Sequence, residues 1–288
     1  MRTNQIREIV TNKIIESMEK GVAPWNIPWL ETGRACNHIN NRAYRGINQI
    51  ILSIVATEKG YINRWGTFRT LSNAGYKIRK GEKSTPIVFY NRIVKDDVDE
   101  DGNAIVFYVL RYSNVFSISQ TENCDWVEPE REAFDPIVEA ESIIDNMPNA
   151  PVIEFGHINA WYKPVQDIVG VPDREEFKSP DGFYSTIFHE LGHSTGHASR
   201  LDRDGVTNIV QFGSKTYSQE ELIAEFASAF LCAEAGINST IEQNASYIAG
   251  WHKVLKNDRK MLMKAVAEGQ RASDYILGAT IIVDEDTE

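Results

Sequence analysis

Five consecutive residues, His189-Glu190-Leu191-Gly192-His193, have types and spacing that could do chemistry. On an α-helix, residues four apart share a face. His189 and His193 can therefore offer two imidazole nitrogens to one ion. Glu190 stands beside that face, where it can meet a water held there. A catalytic zinc takes three protein ligands and leaves a fourth position for water. His197, four residues beyond His193, is a tempting third. It lies two turns from His189, however, about 12 Å along a helix rising ~1.5 Å per residue. Both can reach one ion only if the chain turns sharply at Gly196. A histidine ten residues after the first is ruled out, because that position is Ser199.

The following helical stretch offers Glu221 and Glu225 on one face. We expect Glu221 to complete the ligand set, with Glu225 as the runner-up ligand. Glu225, one turn on, is expected to accept the N–H of a ligand imidazole, the partner that such rings usually have. Leu222, Ile223, Ala224, Phe226, Ala227, Ala229, Phe230 and Leu231 surround them. A helix so apolar is buried, and buried carboxylates need a cation or protons. Glu220 lies about 100° round the helix and is expected in solvent. The expected ion is Zn2+, with Mn2+ or Co2+ as possible substitutes. It would lower the pKa of its water towards ~7 and polarise a carbonyl. Glu190 would act as general base and pass the proton to the leaving amine. The oxyanion needs a donor, for which Tyr184, Tyr217, His197 and Tyr162 all qualify. Three good ligands and a retained Glu190 favour chemistry over a structural site, which four protein ligands would close.

Several elements must position these groups. Ser179 or Asp181 can cap the helix carrying the two histidines, and Gly196 ends it. Ser218 opens the helix bearing Glu221, which Gly236 stops. Upstream, 136–147 reads as a helix and 152–155 as a strand. The stretch 160–169 reads as a further strand, expected as an edge that holds an extended peptide by β-augmentation. Helices are expected at 240–256, 258–268 and 271–277, before an acidic tail. At the N-terminal end, Ile6, Ile9, Val10, Ile14, Ile15 and Met18 form one stripe of a helix over 3–20. A second apolar helix covers 47–59, and Thr67 caps a short third. Strands beginning at Pro86 and Ala104 face each other across an Asp101-Gly102 turn. The polar, acidic segment 121–135 marks a boundary. The expected organisation is α+β in two domains. Residues 1–125 form an α+β module with a small antiparallel sheet, and 126–135 form a linker. Residues 136–288 form a mainly helical domain with a small sheet.

Composition separates the two parts. The net charge of −11 over 288 residues is unevenly spread. Residues 1–95 hold 16 Lys+Arg against 6 Asp+Glu, a net of +10, and the remainder holds 14 against 35, a net of −21. A basic first third suggests a partner unlike that of the acidic remainder. Its aromatic residues lie among its arginines and lysines, as single-strand binding requires. Trp25, Trp29, Tyr44, Trp65 and Phe68 are interleaved with Arg42, Arg45, Arg79, Lys80 and Lys83, while Asn48 could bond a base or sugar-phosphate. Core packing is the competing reading for each tryptophan. No apolar run reaches the ~18 residues of a membrane span. The N-terminus has no apolar signal core. Cys36, Cys124 and Cys232 form no C-x-x-C, so reduced thiols in the cytoplasm are expected.

The run from His189 to Leu201 with the stretch from Phe212 to Glu225 resembles the ArdC-type antirestriction proteins of conjugative plasmids and other mobile elements. Pro24-Trp25-x-x-Pro28-Trp29, Tyr44-Arg45-Gly46-Ile47-Asn48, Trp65-Gly66-Thr67-Phe68 and Arg79-Lys80-Gly81-Glu82-Lys83 are similar to that family too, as are Tyr247, Ile248, Trp251 and Leu255. The resemblance covers nearly the whole chain. It implies a single-stranded-DNA-binding N-terminal domain, a zincin-like metallopeptidase C-terminal domain, and protection of incoming DNA from host restriction. It does not name the protein substrate. Glu221-x-x-Ala224-Glu225 also resembles the Glu-x-x-Ala-Asp of several zincins, with Glu in place of Asp. Two other functions fit the same residues. One is a non-enzymatic single-strand coat whose metal serves folding. The other is a regulatory protease that cuts a DNA-associated protein.

Overall fold

The computed structural model describes residues 3–20, 23, 33–98, 104–124, 126, 136–208, 215–238, 251–256 and 258–279. The Pro24–Trp29 loop, the Asp101-Gly102 turn, nearly all of the expected linker, the start of the 240–256 helix and the acidic tail lie outside them.

The apolar stripe near the N-terminus becomes α1 (Thr3–Glu19), which buries Ile14, Ile15 and Met18. The second helix, α2 (Ile47–Lys59), buries Ile47, Ile50, Ile51, Leu52, Ile54 and Val55 and stops at Gly60, whose φ of 63° favours glycine. Thr67 caps α3 (Phe68–Asn73) as expected, its side chain accepting the amide of Thr70 at 3.1 Å. The strands are β1 (Cys36–Asn37), β2 (Arg64–Thr67), β3 (Thr85–Val98) and β4 (Ala104–Ser117), in the order β1-β2-β4-β3. β3 and β4 form the expected antiparallel pair, Val88 opposite Tyr112. The sheet is nevertheless mixed, because β1 runs parallel to β2.

The second part starts with α4 (Pro136–Asp145). A small sheet follows, of β5 (Val152–Glu154), β6 (Trp161–Lys163) and β7 (Ile168–Gly170) in the order β5-β7-β6. The single strand read over 160–169 is thus broken into a hairpin, whose turn places Asp167 at a φ of 53°. The edge position falls on β6. The helices are α5 (Pro180–Ser194), the short α6 (Asp204–Thr207), α7 (Lys215–Ala235) and α8 (Arg259–Ile276). Ser179 caps α5 through the amide of Gly182 at 3.2 Å. The helices read at 258–268 and 271–277 are one continuous helix. Its apolar stripe runs through Met261, Leu262, Ala265, Val266, Ala272 and Ile276, all buried.

One apolar core joins the two parts. Ile47, Ile50, Val88 and Leu110 share it with Phe183, Phe188, Leu222, Phe226, Leu262 and Val266. A smaller core on the other side of α2 contains Leu52, Ala56, Trp65, Ile87 and Val115. Ion pairs add to the join, with Arg34 meeting Glu234 and Arg45 meeting the buried Asp274. No helix among the described residues is long and apolar enough to cross a membrane.

Candidate metal centre

α5 and α7 pack closely, and Gly192 is the reason they can. A Cβ at that position would lie 3.1 Å from the Ala224 Cα and 3.2 Å from the Ala227 Cβ. The glycine inside the histidine motif therefore brings α7 near enough for Glu221 to face the two imidazoles. Filling this contact with Gly192→Val should destabilise the fold by about 1–3 kcal/mol and weaken metal binding with it. Chemical denaturation of the variant beside the wild type measures the first effect, and an unchanged midpoint would refute the packing argument.

The three ligand atoms converge. Nε2 of His189 and Nε2 of His193 lie 3.2 Å apart. Glu221 Oε2 is 3.7 Å from the first, and its Oε1 is 3.7 Å from the second. Bonds of about 2.0–2.1 Å in a tetrahedral shell separate neighbouring ligand atoms by about 3.3 Å. The donor set, two imidazoles and a carboxylate, therefore fits a small divalent ion, and it is the group of this kind found among the described residues. Electrostatics agree. Burial pushes the His189 ring down, but Glu221 beside it and the charges of Glu225 and Glu190 push it up to about 9. Burial pushes Glu221 up, and the two imidazoles hold it at about 2. A pocket that favours positive charge so strongly favours a cation. Nδ1 of His189 is buried with no hydrogen bond. Glu225, only 2% exposed, adds its charge to that ring.

Glu190 and the three ligands line a cleft of about 520 Å³ with Tyr217, Trp161, Tyr162 and Pro164. Of the four oxyanion candidates, Tyr184 is withdrawn, because its hydroxyl donates to Glu141 at 2.6 Å and accepts from Arg174 at 3.0 Å. His197 is occupied by Ser199, whose Oγ lies 2.8 Å from Nδ1, and it takes no place among the converging ligands. Tyr162 donates to Asp167 at 2.8 Å. Tyr217 lies beside Glu221, and burial together with that carboxylate pushes its hydroxyl up to about 12. It therefore keeps its proton, which it shares with the Glu221 carboxylate, and of the four candidates it is the one whose bonded partner is itself an expected ligand in the cleft.

Glu220 corrects the sequence reading. It is 5% exposed and not solvated, and its Oε1 lies 3.4 Å from Nδ1 of His193. The carboxylate is buried because Arg203, 8% exposed, is buried with it. Arg203 was missed in the sequence. The available signal was an acid in the first turns of an otherwise apolar helix, which calls for a base from elsewhere.

The expected nucleic-acid residues divide. Trp65 is fully buried and donates Nε1–H to Asn63 at 2.7 Å, so it packs the smaller core and offers no stacking face. Asn48 bonds the backbone of Val88 with both ends of its amide, at 2.6 and 2.8 Å, and pins α2 to β3. Arg79 is bound by Glu82 and by the carbonyls of Thr121 and Ser119. Arg45 is bound by Asp274. Tyr44 packs beside the smaller core, and burial pushes its hydroxyl up to about 12. Phe68 is 60% exposed, its ring 6.4 Å from that of Phe116. Arg42, Lys80 and Lys83 are exposed as well. Trp25 and Trp29 lie outside the described residues.

Known families and proteins match stretches of the chain. A family described as the N-terminal domain of anti-restriction factor ArdC matches residues 4–116, and one described as zincin-like metallopeptidase matches residues 138–268. The chain is 33% identical to two DNA primases TraC of Escherichia coli over 94% of its own length. It spans only 20% and 27% of theirs. It is 30% identical to the uncharacterized protein y4eC of Sinorhizobium fredii, over 94% of this chain and 91% of that one. Two crystal structures of the antirestriction protein ArdC from plasmid R388 are similar throughout. The metal-free one has a TM-score of 0.73 at 34% identity, covering 93% of this chain and 94% of that one. The Mn(II)-bound one has a TM-score of 0.74 at 31% identity, covering 96% and 99%.

Proposed function

The chain belongs to the ArdC antirestriction family, and from that premise we propose that it holds single-stranded DNA in its N-terminal part and cuts a protein at its metal centre, protecting an incoming mobile element from host restriction. In this reading residues 1–125 form the DNA-binding domain, 126–135 the linker and 136–288 the peptidase domain. The observation that carries the proposal is the convergence of His189, His193 and Glu221 within one cleft that also holds Glu190. A coat protein has no use for a general base beside an open metal centre. The ion, when bound, supplies Lewis acidity and an acidified water. Glu190 takes a proton in the cleft and returns it to the leaving amine. Tyr217 would turn its hydroxyl from Glu221 to donate to the developing oxyanion. β6, the sheet edge on the same cleft, lies where an extended peptide can add as a strand.

For DNA, the exposed Phe68 beside Phe116 is the aromatic platform that fits best, with Arg42, Lys80 and Lys83 as phosphate partners. The occurrence of a similar stretch inside a DNA primase favours a nucleic-acid partner. If three cations each meet a phosphate, the logarithm of single-strand affinity should fall against the logarithm of salt with a slope of roughly −2. Fluorescence anisotropy with labelled oligo-dT across a salt series tests it. Affinity independent of salt, or stronger for duplex than for single strand, would sink the DNA reading.

A further inference from the structure

We propose that Arg203 is a positioning residue of the metal centre, acting on the ligand His193 through the carboxylate of Glu220. Arg203 reaches this carboxylate with two parallel bonds, Nε to Oε2 at 3.0 Å and Nη2 to Oε1 at 2.6 Å. The same guanidinium donates to the hydroxyl of Thr195 at 2.6 Å and to the carbonyl of Gly192 at 2.8 Å. It therefore ties α7, which carries Glu220 and Glu221, to the last turn of α5, which carries His193. An ionised carboxylate only accepts hydrogen bonds. Its contact with Nδ1 of His193 thus fixes the proton on Nδ1 and leaves the Nε2 lone pair for the ion.

The site is built to admit this pair. A Cβ at Gly205 would lie 2.9 Å from the Cβ of Glu220 and 3.0 Å from its Oε2. An ammonium could neutralise Glu220 as well, but it lacks the planar fork that fixes both carboxylate oxygens at once. The role assigned is therefore orientation beyond charge, and it rests on the metal reading of the centre but not on peptidase activity or DNA binding.

The test uses the full chain, zinc affinity by chelator competition, and the visible absorption spectrum of the cobalt-loaded protein. Two variants are compared with the wild type. Arg203→Lys keeps the charge and loses the fork. Arg203→Met combined with Glu220→Gln removes both charges together, so that neither is left buried alone. The double variant should bind zinc 10- to 100-fold more weakly, with a changed cobalt spectrum and unchanged far-ultraviolet circular dichroism. Arg203→Lys should fall in between. Zinc affinity within about twofold of wild type in either folded variant overturns the role of Arg203. Should the double variant fail to fold, Arg203→Lys decides alone by the same criterion. A wild-type chain that binds neither zinc nor cobalt would overturn the metal reading itself, which distinguishes the two failures.

Discussion

Glu221→Ala is expected to empty the metal centre. Its carboxylate supplies one of three converging ligands, 3.7 Å from each imidazole nitrogen. Without it, two histidines four residues apart on α5 remain, and no other acid among the described residues joins their cluster. Loss of a partner that merely supports a ligand costs about 10- to 100-fold in metal affinity, and loss of a ligand should cost more. Glu225→Ala is the control. Glu225 is buried one turn further on, where its charge acts on His189, and we propose that it steadies that ring without binding the ion. Zinc content after dialysis should therefore be near zero in Glu221→Ala and close to stoichiometric in Glu225→Ala at moderate zinc. The reverse pattern would exchange the two roles.

Glu190→Gln should have the second large effect. The substitution preserves size and the hydrogen-bonding oxygen but removes the base. General acid–base groups contribute about 10²–10⁴-fold, which is about 3–5 kcal/mol of barrier. Hydrolysis of fluorescently labelled casein should drop by that factor while zinc content stays at the wild-type level. A variant that cleaves as fast as wild type would remove Glu190 from the mechanism. A separate measurement, the survival of an incoming plasmid in a restricting host, discriminates between the functions. If Glu190→Gln protects as well as wild type, hydrolysis is dispensable for protection and the single-strand coat becomes the better reading.

The metal centre was legible because its logic is local. The i, i+4 spacing of His189 and His193 on a helix puts two nitrogens on one side without any knowledge of the fold. Glu221 is expected as the third ligand, ahead of Glu225, because a helix rising ~1.5 Å per residue keeps His197 away and a carboxylate pair on an apolar helix needs a cation, and its carboxylate converges on the two imidazoles. Glu220 was misread for the same reason that Glu221 was found. Angular position on a helix tells which residues share a face, but it does not tell what is packed against the other faces. Here Arg203, 17 residues away, fills that space.

The nucleic-acid side shows the limit more sharply. Aromatic and basic residues have the same composition whether they stack on bases or pack a core. Burial separates Trp65, a core residue, from Phe68, which is 60% exposed three positions later. Asn48 and Arg79 likewise spend their polar atoms on the protein's own backbone. Apolar stretches similarly located α1 and α2, and the histidine motif and capping residues located α5 and α7, although α7 starts at Lys215 and not at Ser218. Sequence pattern joined β6 and β7 into one strand, because the turn rests on the left-handed backbone of Asp167, which carries no glycine to mark it.

By itself, then, the sequence determined the paired imidazoles of His189 and His193, the α+β class and the basic character of the first third, all properties of residue type and short-range spacing. Tertiary structure alone decided which acids are buried, that Gly192 lets α7 approach α5, that Arg203 and Glu220 hold His193, and which aromatics remain outside. Each of these depends on segments distant in sequence meeting in space, and no local period encodes such a meeting.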